Sequence, residues 1–234
     1  MKKTLLLSTA LLALSTPSMA QNYGSPATQQ SQAEITQPQD VQQDPVMEQI
    51  RYLQTEWARI KYQMPDEDAQ IAALEKLGAH AQKVTESYTD RAEPKIWQGI
   101  ILSTKAGIDG GVSALGTVKE AKALFEAALK QNPRALDGSA YTSLGSLYYQ
   151  VPGWPVGFGD DEEAEKNLKI ALQINPDGID PNFFYGDFLI EDDREAEAKP
   201  YLEKALMAPD RPGRELADAG RRQEIKAKLA EIGR

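Results

Sequence analysis

Apolar residues recur along most of this chain at intervals of three and four, the spacing that lines one side of an α-helix. Ile50, Leu53, Trp57 and Ile60 form the first such stripe. Asp44-Pro45 opens it: Asp accepts from the free amides of a helix start, and Pro fits a first position whose donor would be unpaired anyway. Met64-Pro65 interrupts the stripe. Ile71, Leu74, Leu77, Ala81, Val84 and Tyr88 resume it across residues 66–88, which predicts an antiparallel helical hairpin within 44–93. Further helical stripes follow to the C-terminus, so the expected fold class is all-α.

The middle of the chain repeats itself. Ala121, Phe125, Ala128 and Pro133 recur in spirit as Ala164, Leu168, Ala171 and Pro176, and again as Ala198, Leu202, Ala205 and Pro209. Each set runs small, large, small and ends at a helix-stopping proline. Small residues let neighbouring helices approach, and the large one fills the space between them. Ahead of the second set stand Tyr141, Leu144, Gly145 and Tyr148, and Gly186 holds the glycine place ahead of the third. Trp97 and Ile100 suggest a further leading helix after Pro94, with Ile101 where a small residue is expected.

These residues resemble the tetratricopeptide repeat (TPR) pattern over residues 94–209. The resemblance implies a TPR-like right-handed helical solenoid of three repeats, preceded by the 44–93 hairpin and closed by a capping helix within 210–234. It also implies a concave groove lined by first-helix residues, here Thr142, Ser146, Tyr149, Asp180, Phe183, Asp187 and Ile190. Two stretches depart from the family length by roughly seven or eight residues each. Residues 107–116 and 151–160 read as loop insertions at the same point of successive repeats, so stacking should set them side by side. Trp154 and Phe158 in the second either fold back on the solenoid or face a ligand.

Lys2 and Lys3, an apolar run from Thr4 to Thr16 and small residues at Ser18 and Ala20 have the form of a signal peptide over 1–20, with cleavage after Ala20. That places the protein in the periplasm or outside the cell. The apolar run is too short for a ~30 Å bilayer core, and no later stretch approaches a membrane span. Residues 21–43 are rich in Gln, Ser, Thr and Pro and poor in apolar groups, which predicts a disordered tether. Cleavage removes two lysines, leaving a net charge near −11 on the exported chain. That balance argues against nucleic acid and anionic lipid. With no cysteine, stability has to come from packing.

Candidate chemistry is sparse. The lone histidine, His80, lies beside an apolar stripe without thiol or acidic company, so neither a metal centre nor a Ser–His–Asp arrangement is expected. Asp160 to Glu163 reads as a capping box opening a helix, not as an acidic site. Asp180-Pro181 repeats the start signal of Asp44-Pro45. Arg211, Arg214, Arg221 and Arg222 cluster in an acidic protein, to pair with acids such as Asp187, Glu191, Asp192 and Asp193 or to form an anion site at the end of the groove. The chain therefore reads as a non-enzymatic module without cofactor or metal that binds a peptide or partner protein of the cell envelope. A second reading is binding of a small molecule, since the exported, repeat-rich plan is also similar to TPR-like T components of tripartite substrate transporters.

Overall fold

The computed structural model describes residues 44–233 apart from Val112, so the signal and tether segments lie outside the described residues. Nine α-helices account for most of them: α1 (Pro45–Gln63), α2 (Glu67–Ser87), α3 (Ala92–Asp109), α4 (Ala114–Gln131), α5 (Ser139–Gln150), α6 (Asp161–Ile174), α7 (Ile179–Glu191), α8 (Glu195–Leu206) and α9 (Glu215–Ile232). The protein is all-helical, as expected. Its first start signal works as read: the Asp44 carboxylate accepts from the Val46 amide at 3.0 Å, with Pro45 at the first helical position. Prolines 133, 176 and 209 each fall two or three residues past the end of a helix.

The small–large–small sets form the centre of the packing. Ala121, Phe125, Ala128, Ala164, Leu168, Ala171, Ala198, Leu202 and Ala205 are all fully buried. Each large member meets a glycine of the preceding helix. A Cβ on Gly145 would stand 2.7 Å from Leu168 Cγ, and one on Gly186 would stand 2.8 Å from Leu202. The same lock joins α3 to α4 through Gly99, whose Cβ would lie 2.6 Å from the Phe125 ring. Gly99 therefore holds the glycine place of the first pair, which corrects the reading anchored on Trp97 and Ile101. Ile101 is buried instead among residues of α1 and α2. Burying Phe125, Leu168 and Leu202 stabilises the array by about 1.5–3 kcal/mol each.

The first expected insertion is largely helical. Residues 107–109 extend α3 and residues 114–116 begin α4. Gly107 and Gly116 sit in open space within those helices, where their price is only the ~1 kcal/mol of poorer helix propensity. The second insertion does run as a loop, from Val151 to Asp160. Val151 packs in one cluster with Ala114 and Val118, so the two stretches do meet at the same end of adjacent helix pairs.

The odd-numbered helices form an inner layer. α1 touches α3, α3 touches α5, α5 touches α7 and α7 touches α9, and α9 returns to touch α1. The array is thus a closed ring with the even-numbered helices paired outside it. The closing seam is tight: Gly220 of α9 faces the Tyr62 ring of α1, and a Cβ there would meet ring carbons at 2.4 Å. Ala217 buries itself in the cluster that contains Trp57, and Lys61 pairs with Glu224 at 2.9 Å.

The glycine locks yield a direct test. Gly145→Ala should destabilise by ~1–3 kcal/mol, because Leu168 and the Ala164 carbonyl leave no room, although Ala is the better helix former. Gly107→Ala should instead stabilise by ~0.5–1 kcal/mol. Urea titrations of both variants would show opposite shifts in midpoint, and equal shifts would mean that the close approach is absent.

Candidate functional site

The inner layer lines a half-open cavity of about 1250 Å³. Its apolar wall comes from Trp57, Trp97, Ile100, Leu136, Phe183 and Phe184. The Trp57 indole N–H is satisfied by the Thr104 hydroxyl at 2.8 Å, so the ring is held edge-on to Trp97 with no donor left over. Packed against these aromatics lies a band of charge on α7, α9 and the turn before α9.

That band is organised around Asp180. One carboxylate oxygen accepts from Arg211 Nη1 at 2.7 Å and the other from Arg221 Nε at 3.0 Å. Arg211 also reaches Asp218 at 2.8 Å, and Arg221 reaches Glu224 at 2.6 Å. Arg221 further lies over the Phe183 and Phe184 rings at 4.3 and 4.7 Å. Burial alone would raise the Asp180 carboxyl, but Arg221, Arg211 and Arg214 outweigh it and hold it well below the usual carboxylate range. Lys61 at the seam is also lowered, by burial and then by Arg221, which for a cation disfavours the charged form.

This arrangement corrects two expectations. Asp180 is not the cap of α7, which begins one residue earlier with Gly178 at the N-cap. Its side chain is engaged by two guanidinium groups and is not free to turn back on the helix. The arginines also choose other partners than the expected acids. Asp187 and Glu191 pair with Lys228 at 2.9 and 3.6 Å, and Asp192 pairs with Arg194 at 3.1 Å. Arg222 leaves the cluster altogether, donating to the Ala208 carbonyl and pairing with Asp210, each at 2.8 Å.

Of the residues expected to line the groove, Thr142, Ser146, Asp180, Phe183 and Asp187 do line the cavity, joined by Arg211, Arg214 and Arg221. Tyr149 and Ile190 stand behind it. Tyr149 donates its hydroxyl to Asp187 at 2.7 Å and packs on Phe188, and Ile190 packs among apolar residues of α7 and α8. Burial and then Asp187 raise the Tyr149 phenol well above its ordinary value, so it stays a donor. The loop aromatics divide. Phe158 folds back edge-on to Tyr148, beneath Lys122, whereas Trp154 is 90% exposed and plugs nothing.

The other chemical candidates resolve locally. Asp160 caps α6 by accepting from the Glu163 amide at 3.1 Å, but Glu163 turns to Lys166, so only half of the capping box forms. His80 stacks edge-on to Tyr52 and meets Gln49 at 3.2 Å. Sequence reasoning missed the contributions of α1 and α3, above all Trp57, Lys61 and Thr104. Their stripes are ordinary, and only the return of α9 brings them to the same space as the arginines. No family model matches the chain, and neither does any curated protein.

The sign of the Asp180 effect fixes a pH dependence. Because its folded value is depressed, its stabilisation is present above the unfolded value near 3.9 and is lost as pH falls toward the lower folded value. Asp180→Asn should destabilise by about 3 kcal/mol at neutral pH, the low end for a buried pair, since the side chain is 27% exposed. The variant should also lose less stability than the wild type between about pH 4 and pH 2. Denaturant midpoints measured across that range check both statements; parallel pH profiles would remove Asp180 from the acid response.

Proposed function

We propose that this protein is an exported binding module of TPR-like build, and that the cavity inside the helical ring is where its ligand sits. The repeated glycine locks and the small–large–small register support the TPR reading. The form of residues 1–20 supports export to the periplasm, followed by a tether over 21–43. The cavity carries the binding reading: aromatic rings and a band of fixed charge packed on them line one space, the mixture of apolar body and few convergent polar groups that small-molecule sites use. Nothing in that mixture pairs a nucleophile with a base, so binding rather than turnover is the reading it supports.

The return of α9 onto α1 favours a compact ligand. An extended peptide would have to thread a closed ring, whereas a small molecule, or the end of a peptide chain, needs only to enter it. A small molecule is therefore the leading occupant. A terminal segment of a partner protein is the second, favoured by a volume above the usual ~300–1000 Å³ of small-molecule pockets.

Ser143 of α5 lines the cavity, and the indole of a Ser143→Trp variant would occupy it. This variant should abolish binding of the apolar dye N-phenyl-1-naphthylamine while keeping wild-type helical content. Lys76→Trp, on the exposed side of α2, should leave dye binding unchanged. Dye fluorescence with both variants makes the comparison, and undiminished binding by Ser143→Trp would exclude the cavity as the site.

Export has its own readout. The form recovered by osmotic shock should have the intact mass of a chain beginning at Gln21. Retention of Met1 in that form would defeat the assignment.

A further inference from the structure

The cavity wall carries as many carboxylates as cations, yet one cation makes no ion pair among the described residues. Lys61, Arg211 and Arg221 are matched by Asp180, Asp218 and Glu224. Arg214 stands among them with no carboxylate of its own among the described residues. Its guanidinium carbon lies 5.2 Å from the centre of the Trp97 ring, which presents it at the cavity wall. Its Nε is buried and has no hydrogen-bond partner among the described residues. A guanidinium in that state is costly. Buried donors are otherwise almost always paired, and leaving a charged one unmatched costs more than leaving a neutral one.

The surroundings hold Arg214 there. Trp97, against which it rests, is buried and braced by Trp57. The Arg214 backbone amide donates to the Arg211 carbonyl at 2.9 Å, which fixes the turn that carries both side chains. Arg211, already committed to Asp180 and Asp218, cannot move to relieve it without breaking two ion pairs. Burial and then Arg211 lower the Arg214 pKa, outweighing the nearby Asp180 and Asp218, which are already engaged by Arg211 and Arg221. An anion arriving in the cavity would supply the direct partner that Arg214 lacks.

We infer that the cavity selects an organic carboxylate, with the carboxylate paired to Arg214 and the apolar body of the ligand against Trp57, Trp97 and Phe184. The inference rests on the cavity being the binding site. Guanidinium and carboxylate match as planar fork to planar fork, and the neighbouring cations Arg211 and Arg221 add attraction without competing for the contact. Their own carboxylates keep the total charge low, so a small inorganic anion has no apolar surface to gain and binds less well than an amphipathic one. Two sources carry this chemistry, a free organic acid and the C-terminus of a peptide.

Two dyes of similar aromatic body separate the terms. 1-Anilinonaphthalene-8-sulfonate carries an oxyanion, and N-phenyl-1-naphthylamine does not. The mature wild-type protein should bind the anionic dye about tenfold or more tightly than the neutral one. Arg214→Gln should remove that preference and leave the neutral dye unaffected. Equal binding of both dyes by the wild type overturns the carboxylate inference but leaves the cavity reading standing; binding of neither dye overturns the cavity reading itself. The wild-type comparison needs no variant, so it decides the matter even if Arg214→Gln fails to fold. Displacement of the anionic dye by decanoate, but not by decan-1-ol, would name a free acid. Displacement by a hexapeptide with a free C-terminus, but not by its amide, would name a peptide end. Failure of both carboxylates to displace it overturns the inference.

Discussion

Close approach at three glycines sets the geometry of this protein. Gly99, Gly145 and Gly186 each admit a large side chain of the following helix to a distance that any Cβ would forbid. The same lock at the same place in three successive pairs imposes the same relation between their helices, so the rotations accumulate in one direction. With α1 placed before the first pair and α9 after the last, the odd-numbered helices meet edge to edge around a common space. The cavity is a by-product of that repetition. Its walls are whichever side chains point inward from helices whose packing is decided on their other face.

Charge enters after packing and does a different task. Asp180, near the start of α7, fastens Arg211 in the turn before α9 and Arg221 within it. Buried ion pairs of this kind add little net stability against an apolar alternative, but they discriminate sharply between arrangements, because a misplaced helix would strand several charges at once. The cluster therefore selects the position of α9 more than it holds α9 down. Apolar contacts of Ala217 and Ile225 supply the attraction.

Local chemistry was legible in the sequence, and summed geometry was not. The small–large–small sets declare themselves because each position needs a particular volume, and all nine are fully buried. The register of the first pair is not legible, because Trp97 resembles the aromatic that opens a repeat, while the glycine that makes the contact stands two residues later. Four glycines in residues 107–116 suggest a loop, yet a helix already stabilised along its other face tolerates Gly107 and Gly116. The arginine cluster is visible in the sequence, and five of the expected groove residues line the cavity. What could not be read was the partner of the arginines, since that depends on where α9 arrives after several accumulated turns. For the same reason the walls supplied by Trp57 and Trp97 had no signature of their own.

Closure has a consequence for how the molecule can come apart. An open stack of helical pairs contacts only near neighbours and frays from either terminus, each end pair having half the contacts of an inner one. Here the Tyr62 phenol reaches Glu224, 162 residues away, and the inner layer has no end from which fraying could start. Bringing such distant parts together costs chain entropy that grows only as the logarithm of their separation, so a single seam of modest strength is enough. The seam is also the place where the ring can part while the glycine locks elsewhere stay shut. Opening there would bare the aromatic wall and the guanidinium groups together, giving one hinge-free route for traffic between the interior and the surrounding water.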